Sequence, residues 1–156
     1  MNNDIVEKWN SVVGEWDTTY ILGDIAFTSV TETFKLIDRL NGAKILIIGN
    51  HDKQIVKADN VLRHFYSIHD YLEIKHKGIK VVLFHFPIAE WNQIHRGAIH
   101  FHGHLHGKPS YVEGRIKDVS IDENGLYPFS LDDLIDEMVK LPIRPHGDSK
   151  ENGKYE

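Results

Sequence analysis

The chain has 156 residues, 41% hydrophobic and 26% charged, which is enough for one domain with a real core and too apolar for disorder. A formal net charge of -5 with neutral histidines excludes a broad electrostatic grip on nucleic acid or an anionic membrane, while leaving room for a local cationic pocket. There is no cysteine, so disulfides and thiolate metal sites are excluded and any metal is held by nitrogen and oxygen.

In chain order, Asn3 or Asp4 caps a first helix whose apolar face is Ile5, Val6, Trp9, Val12 and Val13, with Gly14 as its stop. Thr18 to Leu22 reads as a buried strand ending at Gly23-Asp24. Ser29 and Glu32 have capping-box spacing for a helix carrying Val30, Phe34 and Ile37, which ends at Asn41-Gly42. Lys44 to Ile48 is a short β-branched strand that stops at Gly49-Asn50-His51-Asp52. Asp59 or Asn60 begins a short helix through Val61, Leu62 and Phe65. Tyr71 to Lys75 and Ile79 to Phe84 are strands joined by a turn at His76-Lys77-Gly78, and the second ends at His85-Phe86-Pro87. A loop over Trp91 to Gly97 leads to a strand from Ala98 to Phe101. Gly107 to Gly114 is loop, Arg115 to Ile121 a strand, and Glu123-Asn124-Gly125 a turn. Ser130 with Asp133 caps a last helix carrying Leu131, Leu134, Ile135, Met138 and Val139. These elements make one domain over residues 1–143, with 144–156 as a flexible tail. No run approaches the roughly 18 apolar residues of a membrane span. The first residues carry no basic-then-apolar leader, so a cytoplasmic protein without membrane partners is expected.

Of eleven histidines, seven lie between His76 and His106, and the densest run is His100-Phe101-His102-Gly103-His104-Leu105-His106. Alternation along a strand gathers imidazoles on one face. Protonated they repel one another; neutral and convergent they are metal ligands. The plain alternative is a solvated, histidine-rich strand edge. What weighs against it is that Asp24, the Asn50-His51-Asp52 run and His85 also follow apolar strands, and functional groups of α/β sheets collect at such strand ends. A carboxylate bridges cations, a carboxamide oxygen is a neutral hard ligand, and imidazoles complete a borderline site.

The four motifs Gly23-Asp24, Gly49-Asn50-His51-Asp52, Phe84-His85-Phe86-Pro87 and Gly103-His104-Leu105-His106 resemble, in order, those of the calcineurin-like metallophosphoesterase superfamily. Together with Trp91-Asn92 and Arg96-Gly97 they are similar to its small bacterial and phage branch. The resemblance implies an αββα four-layer sandwich of two mixed β-sheets flanked by helices. It implies that Asp24 bridges two metals, that Asn50, His85 and His104 complete one, and that His106 sits on the other. It further implies that His51 contacts phosphate and protonates the leaving oxygen while Asp52 orients it, and the ions implied are Mn foremost, or Fe, Zn, Ni or Co. Arg96, by its planar fork, is a candidate phosphate clamp beside the plain reading of a surface charge.

The family's first motif, an Asp-x-His on a preceding strand, is missing. Only 23 residues precede Asp24, and Asp4 and Asp17 are the earlier aspartates. The first strand is therefore expected to be absent from the sheet, and one metal keeps only Asp24 and His106. Three explanations stand: a sequence beginning downstream of the motif, a natural short form binding one ion with little or no turnover, or substitution by His102 or His100.

The leading expectation is a hydrolase for phosphomonoesters or phosphodiesters, its partner a phosphorylated small molecule, a nucleotide or a nucleic-acid end, with a homodimer filling the vacant sheet edge as a further hypothesis. The alternative is a degenerate one-metal module that binds a nucleotide or protein without turnover. A metallo-β-lactamase-type site is discarded because no Asp-His follows His102-Gly103-His104, and a cupin because its spaced glutamate is lacking. Trp91 is expected to be packing, His102 to lie near the site, His100 to be packed or on the surface, and His64, His69, His76 and His146 to be on the surface. The acidic residues Asp132, Asp133, Asp136 and Glu137 read as the solvated face of the last helix.

Overall fold

The computed structural model describes residues 2–25 and 28–147. It is an α/β sandwich of two sheets with helices. Helix α1 (Asn2–Val12) leads to β1 (Thr18–Ile21), α2 (Val30–Ile37), β2 (Ala43–Ile47), the short α3 (Lys53–Val56) and β3 (Ser67–His69). These strands form a parallel sheet in the order β1-β2-β3. The second sheet, β4-β5-β6-β7, comprises Tyr71–His76, Ile79–Phe84, Ile99–His102 and Ile116–Asp118. Its first pair is antiparallel and the other two are parallel. Only the second sheet is mixed, because each strand of the first returns through a helical crossover.

Strand alternation sorts the core. Leu46 of β2 joins Val6, Trp9, Phe34 and Ile37 beneath α1 and α2. Its neighbour Ile47 points the other way, to Leu22, Val81, Leu83, Ile99 and Phe101 between the sheets. Helix α4 (Leu131–Met138) adds Leu134, Ile135 and Met138 to this inner cluster. It is capped as its sequence predicts, Ser130 Oγ accepting from the Asp133 N–H at 3.3 Å. Val82 faces the far side of the second sheet, where Trp91, Ile94 and Ala98 cover it. A loop with one 3-10 turn, Ile94–Arg96, supplies that layer.

The strand expected over Arg115 to Ile121 is shorter, and Ile121–Asn124 is a 3-10 turn. Asp118 ends the strand: its Oδ1 accepts from the Ser120 N–H and hydroxyl at 2.9 and 2.6 Å and turns the chain away. Strand β3 and helix α3 were not anticipated, being too short to show a period. The tail expected from Arg144 is tied at its start, for Arg144 donates to the carbonyls of Ala89 and Glu113; residues 148–156 lie outside the described residues.

β1 is an edge strand. Beside it runs a cavity of about 780 Å³, walled by Trp9, Tyr20, Leu83, Phe101 and Leu134, with Asp24, His104 and His106 also on its lining. No helix among the described residues is long and apolar enough to cross a membrane.

Candidate metal centre

The loops after β1, β2, β5 and β6 meet where the two sheets abut. Gly23 and Gly49 allow this approach. A Cβ on Gly23, whose φ is +86°, would lie 2.6 Å from the Gly49 backbone, and one on Gly49 would run into the Asp24 carboxylate. Asp52, fully buried, fastens the two loops. Its Oδ2 accepts from the N–H groups of Asp24 and Gly49, both at 2.8 Å, and its Oδ1 from Ile25 at 3.0 Å. Asp52 is thus a staple for the backbone that carries Asp24, because three amides without strand partners converge on it, a role beyond the orienting of His51 that the resemblance implies.

His85, at the end of β5, is fully buried. Its Nδ1–H donates to the Leu22 carbonyl at 2.6 Å, linking the second sheet to the first. In the neutral ring that bond puts the lone pair on Nε2. Nε2 faces the Asn50 Oδ1 at 2.9 Å and the Asp24 Oδ2 at 3.2 Å, so one ring nitrogen and two oxygens converge on a single point. His104 completes the group, and one ligand atom from each of Asp24, His85 and His104 lies within 4.8 Å of the others. A borderline divalent cation fits this set of carboxylate oxygen, carboxamide oxygen and two imidazoles. The other Asp24 oxygen, Oδ1, accepts from the His51 backbone N–H at 2.9 Å and so holds exposed His51 at the rim.

Strain gathers here. Asp24, His104 and His106 all have positive φ, at +55°, +71° and +49°. For non-glycine residues this is an uncommon conformation that the surroundings must impose.

Of the expected ligands, the structure thus brings together Asp24, Asn50, His85 and His104. His106 lies outside this group: it is half exposed, with its Nδ1 2.9 Å from Asp122 Oδ2. Arg96 is exposed on its turn and is not among the cavity-lining residues. His100 does not substitute for a ligand. Its Nδ1–H donates to Val82 at 3.0 Å, its Nε2 accepts from the Ile88 N–H at 3.1 Å, and burial pushes its pKa down to about 4. His102 is also buried, with its Nδ1 2.8 Å from the Gly103 carbonyl, and burial lowers its pKa as well. Both rings project from the face of β6 opposite Phe101, His100 5.4 Å from Trp91. Trp91 is packing as expected, donating from Nε1 to the Ala98 carbonyl at 3.0 Å. His64 was expected on the surface but stacks on Phe34 with ring centroids 4.0 Å apart.

Two neighbours of the site escaped the sequence reading. Phe86 sets its ring 4.8 Å from His85 and 4.7 Å from His104, an apolar wall beside the ligands. Asp122 is sixteen positions from the histidine it meets, a separation that no local pattern reveals.

No family model matches the chain. It is similar to the uncharacterised protein MJ1445 of Methanocaldococcus jannaschii, 29% identical over 143 residues, covering 86% of this chain and 73% of that protein. The gene 66 protein of Mycobacterium phage D29 is 27% identical over 129 residues, 67% of this chain and 65% of its own length. The gene 66 protein of phage L5 is 29% identical over 129 residues, and there the match spans 65% of this chain and 62% of the phage protein. The match to each phage protein thus spans just under two thirds of its length. Among solved structures, the crystal structure of the Aquifex aeolicus protein of unknown function AQ665 has a TM-score of 0.67 at 26% identity, covering 88% of this chain and 84% of that one. The Aquifex structure shares the fold, and none of these names states an activity.

Proposed function

We propose that this chain is a metal-dependent phosphoesterase that hydrolyses phosphomonoesters or phosphodiesters. The observation that carries the proposal is the convergence at His85, where an imidazole nitrogen, a carboxylate and a carboxamide oxygen meet beside His104. The ordered motifs that resemble the calcineurin-like superfamily agree with it. A bound divalent ion, Mn in the first instance, supplies positive charge against a phosphoryl group and lowers the pKa of water.

The chain's own residues do the rest. Asp24 and Asn50 present oxygen, and His85 and His104 present imidazole nitrogen. His51, exposed and held by its backbone to Asp24, has in this reading the role of donating a proton to the departing oxygen. Phe86 presents an apolar flank against which the non-phosphate part of a substrate packs.

The test is hydrolysis of bis-p-nitrophenyl phosphate with added Mn. Turnover is expected, and it is lost in Asp24→Ala and His85→Ala. Failure of saturating Mn, Ni and Co to give turnover above a His51→Ala control overturns the proposal.

A second reading, a one-metal binding module with little turnover, has a specific observation in its favour. His106 stands apart from the cluster, and nothing else among the described residues joins Asp24 to make a second ligand group. Elemental analysis separates the two: about two ions per chain favours the enzyme, and about one with nucleotide binding but no product favours the module.

A further inference from the structure

We propose that Asp122 is a positioning residue for His106. Its carboxylate fixes the ring so that Nε2, not Nδ1, is the nitrogen offered to a cation on the Asp24 side of the cavity. This rests on the metal-dependent reading above and assigns a part to a residue that the motifs do not include.

The separation of His106 Nδ1 and Asp122 Oδ2 is 2.9 Å. A carboxylate only accepts, so Nδ1 carries the hydrogen, and in the neutral ring, the form that binds a cation, the lone pair is then on Nε2. The same logic operates at His85, where the Leu22 carbonyl takes Nδ1–H and frees Nε2. Both partners are about half exposed, at 52% and 55%, so the pair adds little to stability and its consequence is orientation.

The segment bearing Asp122 is built against the histidine loop at two further points. Asp118 Oδ2 accepts from the Gly107 N–H at 3.0 Å. A Cβ on Gly107, whose φ is +77°, would collide with the Glu123 carboxylate. Residues 118–123 therefore cradle residues 106–107, and Asp122 is the member that reaches the ring. Asp24, His104, His106 and Asp122 all line one cavity. A carboxylate on the far nitrogen of a ligating histidine also makes that histidine a better donor, and loss of such a partner costs about 10- to 100-fold in metal affinity.

The experiment compares wild type, Asp122→Ala, Asp122→Asn and His106→Ala. Long-range ¹H–¹⁵N spectra of the metal-free protein, at a pH where the ring is neutral, report which His106 nitrogen is protonated. The proton is expected on Nδ1 in wild type and redistributed toward Nε2 in Asp122→Ala. Asp122→Asn, whose amide oxygen still accepts, is expected to restore the wild-type spectrum. Titration calorimetry with Mn is expected to show affinity about tenfold or more weaker in Asp122→Ala and His106→Ala, and within a few-fold of wild type in Asp122→Asn. An unchanged His106 spectrum in Asp122→Ala overturns the proposal. So does a Mn affinity that drops in Asp122→Ala while His106→Ala leaves it intact. If wild type takes up no Mn, the phosphoesterase reading fails separately, and the spectra alone decide whether Asp122 sets the ring.

Discussion

His85 and His100 are both fully buried histidines at hydrogen-bond distance from a main-chain carbonyl through Nδ1, and their difference lies at the other nitrogen. Nε2 of His100 receives the Ile88 N–H, so that ring is complete within the protein. Nε2 of His85 faces the oxygens of Asn50 and Asp24, a place that either a proton or a metal cation fills. His100 gives a pH prediction. Burial holds its folded pKa near 4 against an ordinary 6.5, so the unfolded chain binds the proton more readily. Its contribution is fully present above pH 6.5 and is lost as pH falls from there toward 4, by about 3 kcal/mol. His102 shifts in the same direction and adds to the loss. Glu73, pulled down to about 2 by the Lys80 ammonium and the Tyr71 hydroxyl, acts in a separate, lower window. Urea midpoints at pH 7, 6, 5 and 4 check this, and a flat profile contradicts it. His51 gives a second prediction: replacement by alanine lowers turnover by about 10²- to 10⁴-fold through loss of a proton donor and leaves Mn uptake within a few-fold. Parallel calorimetry and rate measurements separate these effects.

At the scale of elements, the site depends on two strand-end loops held in contact. Asp52→Ala strands the amides of Asp24, Ile25 and Gly49. A cost of about 3 kcal/mol in unfolding free energy is expected, since each buried unpaired donor is penalised. Mn affinity falls with it, because the staple fixes Asp24. Gly49→Ala is the complementary probe: the added methyl meets Asp24 and the His85 ring. It is expected to weaken Mn binding at least tenfold while the far-UV circular dichroism spectrum stays that of the wild type, since the strands themselves are untouched. Retention of full affinity in Gly49→Ala would show that the two loops do not need this approach. The helices contribute differently. α4 buries Leu134, Ile135 and Met138 between the sheets and so props the second sheet against the first, whose end-loops carry Asp24 and Asn50.

At the scale of the whole molecule, the proposed ligands come from both sheets: Asp24 and Asn50 from the first, His85 and His104 from the second. A cation bound there cross-links the sandwich and has no equivalent site in the unfolded chain. Mn at 100 times its dissociation constant is expected to stabilise the fold by about 2.7 kcal/mol. For a chain of this size that is a rise in Tm of roughly 5–10 °C, reversed by EDTA. Differential scanning calorimetry checks it, and the rise must vanish in His85→Ala. The edge position of β1, with a large cavity alongside, is the feature that would favour pairing with a second copy. A monomeric mass by light scattering at working concentration removes that hypothesis.

Periodicity alone determined most of the elements. The Ser29 and Ser130 caps and the β-branched strands β2 and β5 need only local residues, and they stand within a residue of where the sequence puts them; α1 by contrast takes its expected caps Asn3 and Asp4 into the helix and leaves Val12 exposed, and α2 ends at Ile37, short of Asn41-Gly42. The ligand types and their place just after strands were equally legible, because Gly-Asp, Gly-Asn-His and Gly-His-x-His are local patterns. Tertiary structure decided what each side chain does. That Asp52 accepts from the amides of Asp24 and Ile25 depends on loops 28 and 27 residues apart in sequence. Whether His106 joins the cluster or Asp122 depends on a strand that ends early at Asp118. Residue type fixes which bonds a group is able to make; the packing of distant segments fixes which partner arrives, and a single hydrogen-bond partner is enough to choose between two nitrogens of one ring.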